Sequence, residues 1–183
     1  MPKPTHTNHQ SALAYPADVQ HYLSTELSFR AHAGHFKENP LPDDLITSPL
    51  QTVYKRGSTK HRVVMDQHTD NAFQLRLPGI DRLREFIISK GSGYVYKKDL
   101  KRVYRQFPID PKDYKYLGFM WDGLLYFNTR CPFGLRSSAL VCQRTTRAVI
   151  HVFTKEGYTA DLYLDDFYGA EHPTDFHFPF ASR

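Results

Sequence analysis

Apolar positions along the chain recur with two periods, and the switches between them outline its elements. Over residues 18–29 the apolar residues Val19, Tyr22, Leu23 and Leu27 fall three and four apart, which predicts a helix entered through Tyr15-Pro16. Leu50 to Lys55 and Arg62 to Asp66 read as two strands joined by a turn at Arg56-Gly57-Ser58, with Lys55, Arg56, Lys60 and Arg62 near the tip. Pro78 to Lys90 predicts a second helix, with Ile80, Leu83, Phe86 and Ile87 along one face and Gly91 as its stop. Tyr94 to Leu100 alternates as a strand through Asp99, followed by a compact turn over Tyr104 to Pro108. Lys115 to Phe119 and Leu124 to Asn128 flank Trp121-Asp122-Gly123, and Asp-Gly supports a tight hairpin turn.

After a loop at Cys131 to Gly134, a long helix is expected from Ser137 to Glu156, closed by Gly157. Val141, Thr145, Ala148, Val149, Val152 and Phe153 form its expected core face, with Arg144, Arg147, His151 and Lys155 on the other side. Tyr158 to Leu164 and Phe167 to Ala170 then read as strand, tight turn, strand. Met1 to Ala14 lacks periodicity and is expected to be disordered, and Gly34 to Pro42 reads as a turn-rich connector. Helices set between hairpins point to an α+β fold with an antiparallel sheet.

Composition narrows the class. A chain of 183 residues with 40% hydrophobic content suits one globular domain, or a domain with a smaller lobe. No run approaches the roughly 18 apolar residues of a membrane span, and the polar start has no signal-peptide core. Two cysteines, Cys131 and Cys142, make no disulfide framework, so an intracellular setting is expected, with no membrane partner. His6 and His9, and His32 and His35, have metal-compatible spacing but lack cysteine partners. The net charge of +5 and the 14% aromatic content suit a groove for nucleic acid or nucleotide. Lys97, Lys98, Lys101, Arg102, Arg105 and Lys112 concentrate that charge, although a solvated basic face explains it equally well.

The hairpin turn carries the chemistry. In Tyr163-Leu164-Asp165-Asp166 two carboxylates sit side by side, and like charges so placed need a cation or good solvation. Magnesium, a hard ion that prefers oxygen ligands, meets that need, while a merely soluble turn meets it as well. Asp99 ends another predicted strand. If that strand neighbours Tyr158 to Leu164, three carboxylates meet and suit two divalent ions about 3.5–4 Å apart.

Asp99-Leu100-Lys101-Arg102-Val103-Tyr104-Arg105-Gln106-Phe107-Pro108 resembles motif A of reverse transcriptases, including its Tyr-x-Gln-x-Pro ending. Pro132-Phe133-Gly134-Leu135-Arg136-Ser137 is similar to motif B, and Tyr163-Leu164-Asp165-Asp166 to motif C. Arg62-Val63-Val64-Met65-Asp66 resembles the fingers motif in which a basic residue precedes an aspartate by four positions. The segments occur in family order, and their wording is similar to retrotransposon enzymes of the DIRS or a related type. The resemblance covers residues 15–171.

The resemblance implies a right-hand polymerase with fingers and a palm on an antiparallel sheet. It divides the chain into a disordered segment 1–14, a shortened fingers region 15–92, a palm with part of the fingers 93–171, and an unassigned tail 172–183. It implies Asp99, Asp165 and Asp166 as catalytic metal ligands, with the carbonyl of Leu100, for two Mg2+ ions or Mn2+ in their place. Lys60 and Arg62 would meet the nucleotide triphosphate, as would the backbone amides near Arg102 and Val103. Tyr104 matches the steric gate against a 2′-hydroxyl, and otherwise reads as a core aromatic. Phe133 and Gly134 would floor the nucleotide site.

The implied reaction is template-directed deoxynucleotidyl transfer to a primer 3′-hydroxyl. Its partners are an RNA or DNA template, a primer, dNTPs and the other domains of a parent polyprotein. The stretch His68 to Leu77 is shorter than in relatives, and the chain stops soon after motif C. A truncated copy without a thumb is therefore expected. The rival expectation is a catalytically inactive remnant that keeps the fold and binds nucleic acid. A polymerase copying RNA into RNA is disfavoured by the aromatic at Tyr104.

Overall fold

The computed structural model of the protein describes residues 7–54, 57, 61–67, 79–91 and 93–172, the side chain of Arg136 excepted. In chain order the elements are α1 (Gln10–Ala14), α2 (Pro16–Ser28), β1 (His32–Phe36), β2 (Leu50–Tyr54), β3 (His61–Met65), α3 (Ile80–Lys90), β4 (Tyr94–Asp99), β5 (Gly118–Trp121), β6 (Leu124–Asn128), α4 (Arg136–Lys155), β7 (Ala160–Tyr163) and β8 (Asp166–Glu171). Two 3-10 turns, Val103–Gln106 and Pro111–Tyr116, sit between β4 and β5. The chain forms two compact units, residues 1–72 with 104–138 and residues 73–103 with 139–183. The strands pair antiparallel in three sheets, so the mixed α and β character read from the sequence is what the chain adopts.

The first unit holds the sheets β1-β6-β5 and β2-β3. Its core joins Val19 and Leu23 of α2 to Leu50, Val63 and Met65 of the β2-β3 hairpin and to Phe119, Trp121 and Tyr126. The β5-β6 hairpin turns through Asp122 and Gly123, both at positive φ (50° and 73°), the pattern that makes a two-residue turn follow strand twist. Two expectations are corrected here. Disorder over Met1 to Ala14 fails from Gln10 onward, because α1 buries Ala12 completely and Thr52 Oγ1 donates to the Ser11 carbonyl at 2.8 Å. Residues 1–6 lie outside the described residues. The connector at Gly34 begins instead as β1, paired to β6, because Gly34 leaves room for the Tyr126 ring that a Cβ would strike.

The first unit also encloses a charge. Arg105, read from the sequence as part of a basic cluster, is buried against the equally buried Glu26, with Nε to Oε2 at 2.7 Å. Its Nη2 donates to Tyr22 Oη (2.6 Å) and lies 3.2 Å from His32 Nε2, while Nη1 donates to Asn128 Oδ1 (2.9 Å) and to the carbonyls of Arg130 and Cys131. The planar fork of Arg suits such a set of acceptors, and together they offset its desolvation. One side chain thereby ties α2, β1 and the end of β6 to the segment after Val103.

In the second unit, the sheet runs β4-β8-β7, with α3 alongside β8 and α4 beneath the β7-β8 hairpin. Tyr96 lies opposite Gly169, where an added Cβ would collide with the Thr159 carbonyl and the Tyr96 ring, and Tyr96 Oη donates to the Thr159 carbonyl at 3.0 Å. Burial and the nearby Glu171 carboxylate push the Tyr96 phenol up to about 12. The expected core face of α4 is corrected: Val141, Thr145, Ala148, Val149 and Val152 are exposed, while Cys142, Gln143 and Thr146 are buried. The Thr146 hydroxyl donates within the helix to the Cys142 carbonyl at 2.8 Å, which satisfies a polar side chain on the buried face. On α3 only Phe86 of the expected stripe is buried, and Ile80 is 81% exposed.

Removing one partner of a buried ion pair leaves a charge without compensation. Arg105→Ala should lower the unfolding free energy in urea by about 3–5 kcal/mol, and Glu26→Met in the same chain should recover part of that loss. Urea titration followed by circular dichroism measures both.

Candidate functional site

The β4-β8-β7 sheet assembles the carboxylates. Asp99, the last residue of β4, lies directly opposite Asp166, the first residue of β8, and Tyr163 of β7 flanks Asp166 on the other side. Direct antiparallel partners point to the same face, so the Asp99 and Asp166 side chains are cross-strand neighbours. The sequence reading paired the Asp99 strand with Tyr158 to Leu164; its neighbour is β8, the central strand, and the correction brings Asp99 against Asp166. The turn itself is narrower than expected: Leu164 and Asp165 form it, and Asp166 already belongs to β8.

Leu164 holds φ at 57°, a region that costs a branched residue of order 1 kcal/mol or more. Neighbouring donors hold it there. Thr146 Oγ1 lies 3.3 Å from the Leu164 carbonyl and Cys142 Sγ 3.7 Å from it, both from one face of α4. From the other side the Leu100 amide donates to the Asp165 carbonyl at 2.9 Å. Thr146 and Cys142 were missed by the sequence reading, whose apolar stripe lay about 100° around the helix from them. Their signal was faint: small polar side chains four apart, preceding a hairpin.

Lys97 reaches the same place. Its Nζ lies 2.8 Å from Asp166 Oδ2. The hydrogen bond and charge of Asp166, with added fields from Asp99 and Asp165, hold the Lys97 ammonium above its usual pKa. The carboxylates of Asp99, Asp165 and Asp166 are hard oxygen donors of the kind magnesium takes. Yet no group of three such side chains is gathered closely enough to hold a metal ion among the described residues. An ammonium, not a gathered ligand cage, meets Asp166.

The nucleotide-binding residues expected from the sequence fall in both units. Leu100, Arg102 and Val103 follow β4 in the second unit, with Arg102 at φ 55° and Val103 buried. Arg62, Tyr104, Phe133 and Gly134 belong to the first. There the Arg62 guanidinium lies 5.3 Å from the Phe133 ring centroid, and Tyr104 meets Phe133 edge to face at 4.8 Å. Gly134, at φ 99°, sits so close to the Met65 carbonyl that a Cβ would overlap it. Three of the expected residues, Arg62, Tyr104 and Phe133, thus form one basic and aromatic group. Lys60 lies outside the described residues, as do Lys55 and Arg56.

The basic cluster is not one open groove. Arg105 is buried with Glu26, Lys112 holds Asp110 at 3.0 Å, and Lys97 holds Asp166. Among the described residues no helix is long and apolar enough to cross a membrane.

No protein-family model and no curated protein matches the chain. Solved structures do. A foamy viral protease-reverse transcriptase in complex with dsDNA superposes with a TM-score of 0.72 at 17% identity, over 97% of this chain. The fold is reverse-transcriptase-like. The prototype foamy virus protease-reverse transcriptase CSH mutant gives 0.70 at 22% identity over 96% of this chain. The foamy viral enzyme in complex with an RNA/DNA hybrid gives 0.69 at 20% identity over 96%. The chain spans 35% of the first of these solved chains and 22% of the other two.

Proposed function

We propose that the chain is the nucleotidyl-transfer region of an RNA-directed DNA polymerase from a retroelement, of retrotransposon and DIRS-like type by its motif wording. The observation that carries this reading is the register that sets Asp99 opposite Asp166 beside the Asp165 turn, in a reverse-transcriptase-like fold. The β4-β8-β7 unit takes the part of the palm, and the unit holding Arg62 and Phe133 that of the fingers. We assign none of the described elements to a thumb.

Asp99, Asp165 and Asp166, with the Leu100 carbonyl, are the residues that would hold divalent metal. Two magnesium ions supply there a lowered pKa for an attacking primer hydroxyl and charge neutralisation at the leaving pyrophosphate. Every other task falls to the chain's own groups. Arg62 and Lys60 would bind the triphosphate of the incoming dNTP by charge-assisted hydrogen bonds, and the backbone amides of Arg102 and Val103 would donate to phosphate as well. Tyr104, held by the Phe133 ring, closes the space that a 2′-hydroxyl would need. Gly134 lets the floor of the site approach the Met65 backbone without a side chain between. Template and primer, in RNA or DNA, are the macromolecular partners. The double-stranded DNA and the RNA/DNA hybrid named for the foamy viral structures support that class.

A second reading, a nucleic-acid-binding remnant without catalysis, is favoured by one observation: Lys97 occupies Asp166 and the carboxylates are not gathered as a ligand set. Primer extension separates the two. With magnesium, dNTPs and an RNA-templated DNA primer, the chain joined to a thumb should add nucleotides, and Asp165→Asn should slow addition more than about a hundredfold. Binding of primer-template without any extension would leave the remnant reading standing. Tyr104→Ala should lower the preference for dNTP over rNTP about tenfold or more, read from single-nucleotide incorporation. Unchanged sugar selectivity would remove Tyr104 from the gate.

A further inference from the structure

We infer that Lys97 is a tethered counter-ion of the carboxylate site, one that holds Asp166 in the metal-free chain and competes with a divalent cation for it. The inference rests on the proposed reading of Asp99, Asp165 and Asp166 as a metal site.

Strand geometry puts Lys97 there. Lys97 and Asp99 lie two apart on β4 and therefore share a face, whereas Tyr96 and Lys98 point to the other. The cross-strand partners are Tyr168 for Lys97 and Asp166 for Asp99, so Lys97 and Asp166 are diagonal neighbours on that face. Diagonal neighbours lie within reach of long side chains, and the ammonium meets Asp166 Oδ2 at 2.8 Å. Lys98, next in the chain, has the same charge but the wrong face. The position, and not the density of lysines, selects Lys97.

Charge supplies the reason. Asp99 and Asp166 are forced side by side by the register, and Asp165 is fixed in the adjoining turn, so three carboxylates accumulate where like charges repel. A resident cation offsets that repulsion when no metal is bound. The Lys97 ammonium, 2.8 Å from Asp166 Oδ2, supplies that charge.

Exposure supplies the reversibility. The Lys97 side chain is 65% exposed and that of Asp166 28% exposed, so water can replace either partner. Exposed pairs of this kind are weak and are screened by salt. A four-carbon stem lets the ammonium swing away without moving β4. Lys97 is therefore a competitor that a doubly charged ion overcomes, rather than a permanent block. The ungathered state of the carboxylates is the expected form of the site while the lysine holds one of them.

The test is binding of Mn2+ to the full chain, followed by the loss of the free-ion electron paramagnetic resonance signal, for the natural chain, Lys97→Met, Lys97→Arg and Asp166→Asn. Lys97→Met should bind Mn2+ about two- to fivefold more tightly than the natural chain at low salt, with the gap narrowing as salt rises. Lys97→Arg, which keeps the charge, should stay close to the natural affinity. Asp166-dependent binding that Lys97→Met leaves unchanged or weakens overturns the counter-ion inference alone. Binding that Asp166→Asn does not alter overturns the metal reading and this inference with it. Lys97 is exposed on its strand, and matching circular dichroism spectra show that each variant is folded.

Discussion

Negative charge gathered at one strand end is the constraint on which the second unit is built. Asp99 and Asp166 face each other across a fixed register, and Asp165 occupies the adjacent turn. Nothing in the carboxylates themselves favours that closeness. The backbone imposes it, through the β4-β8-β7 ladder, through the Leu100 amide bonded to the Asp165 carbonyl, and through the α4 donors beneath Leu164. Leu164 at positive φ is the local cost of a two-residue turn that keeps Asp165 clear of the ladder. Lys97 is the local relief.

The first unit meets a different problem, how to fix a loop that carries no regular structure. The segment after Val103 and the loop after β6 share backbone bonds, from the Ile109 amide to the Thr129 carbonyl and from the Cys131 amide to the Phe107 carbonyl, both 3.0 Å. Arg105 bonds α2, β1 and β6 from inside, with Glu26 as its counter-charge. Tyr104 precedes it, and its ring edge meets Phe133. A buried guanidinium that can satisfy its donors in only one arrangement fixes the neighbouring side chain more firmly than apolar packing would.

Much of this was legible in the sequence wherever one rule acted alone. The β2-β3 strands, β6, α2, α3, β4 and the close of α4 at Gly157 follow from periodicity and turn residues and lie near the expected bounds, whereas β5 runs Gly118–Trp121 rather than Lys115 to Phe119, because Lys115 and Tyr116 belong to the 3-10 turn Pro111–Tyr116. Misreadings arose where tertiary contact overrode local pattern. Val141, Val149 and Val152 have the right spacing for a core, yet the buried face of α4 carries Cys142 and Thr146, which lie against the Leu164 carbonyl. Gly34 looked like a turn, yet serves as the gap for the Tyr126 ring. Arg105 and Lys97 looked like members of one basic cluster. One is interior and the other belongs to the acidic site, a difference that composition does not carry.

Likeness to the foamy viral structures establishes the fold at 17–22% identity and leaves chemistry to the chain's own residues. Those residues make one central claim, that Asp99, Asp165 and Asp166 form a cation site by virtue of β4-β8 register. Anomalous scattering from a crystal of the chain grown with primer-template, dNTP and Mn2+ addresses it most directly. The account requires manganese density bounded by the Asp99 and Asp165 carboxylates, with the Lys97 ammonium withdrawn from Asp166. Ordered nucleotide with no manganese at these aspartates, and Lys97 still bonded to Asp166, would contradict it.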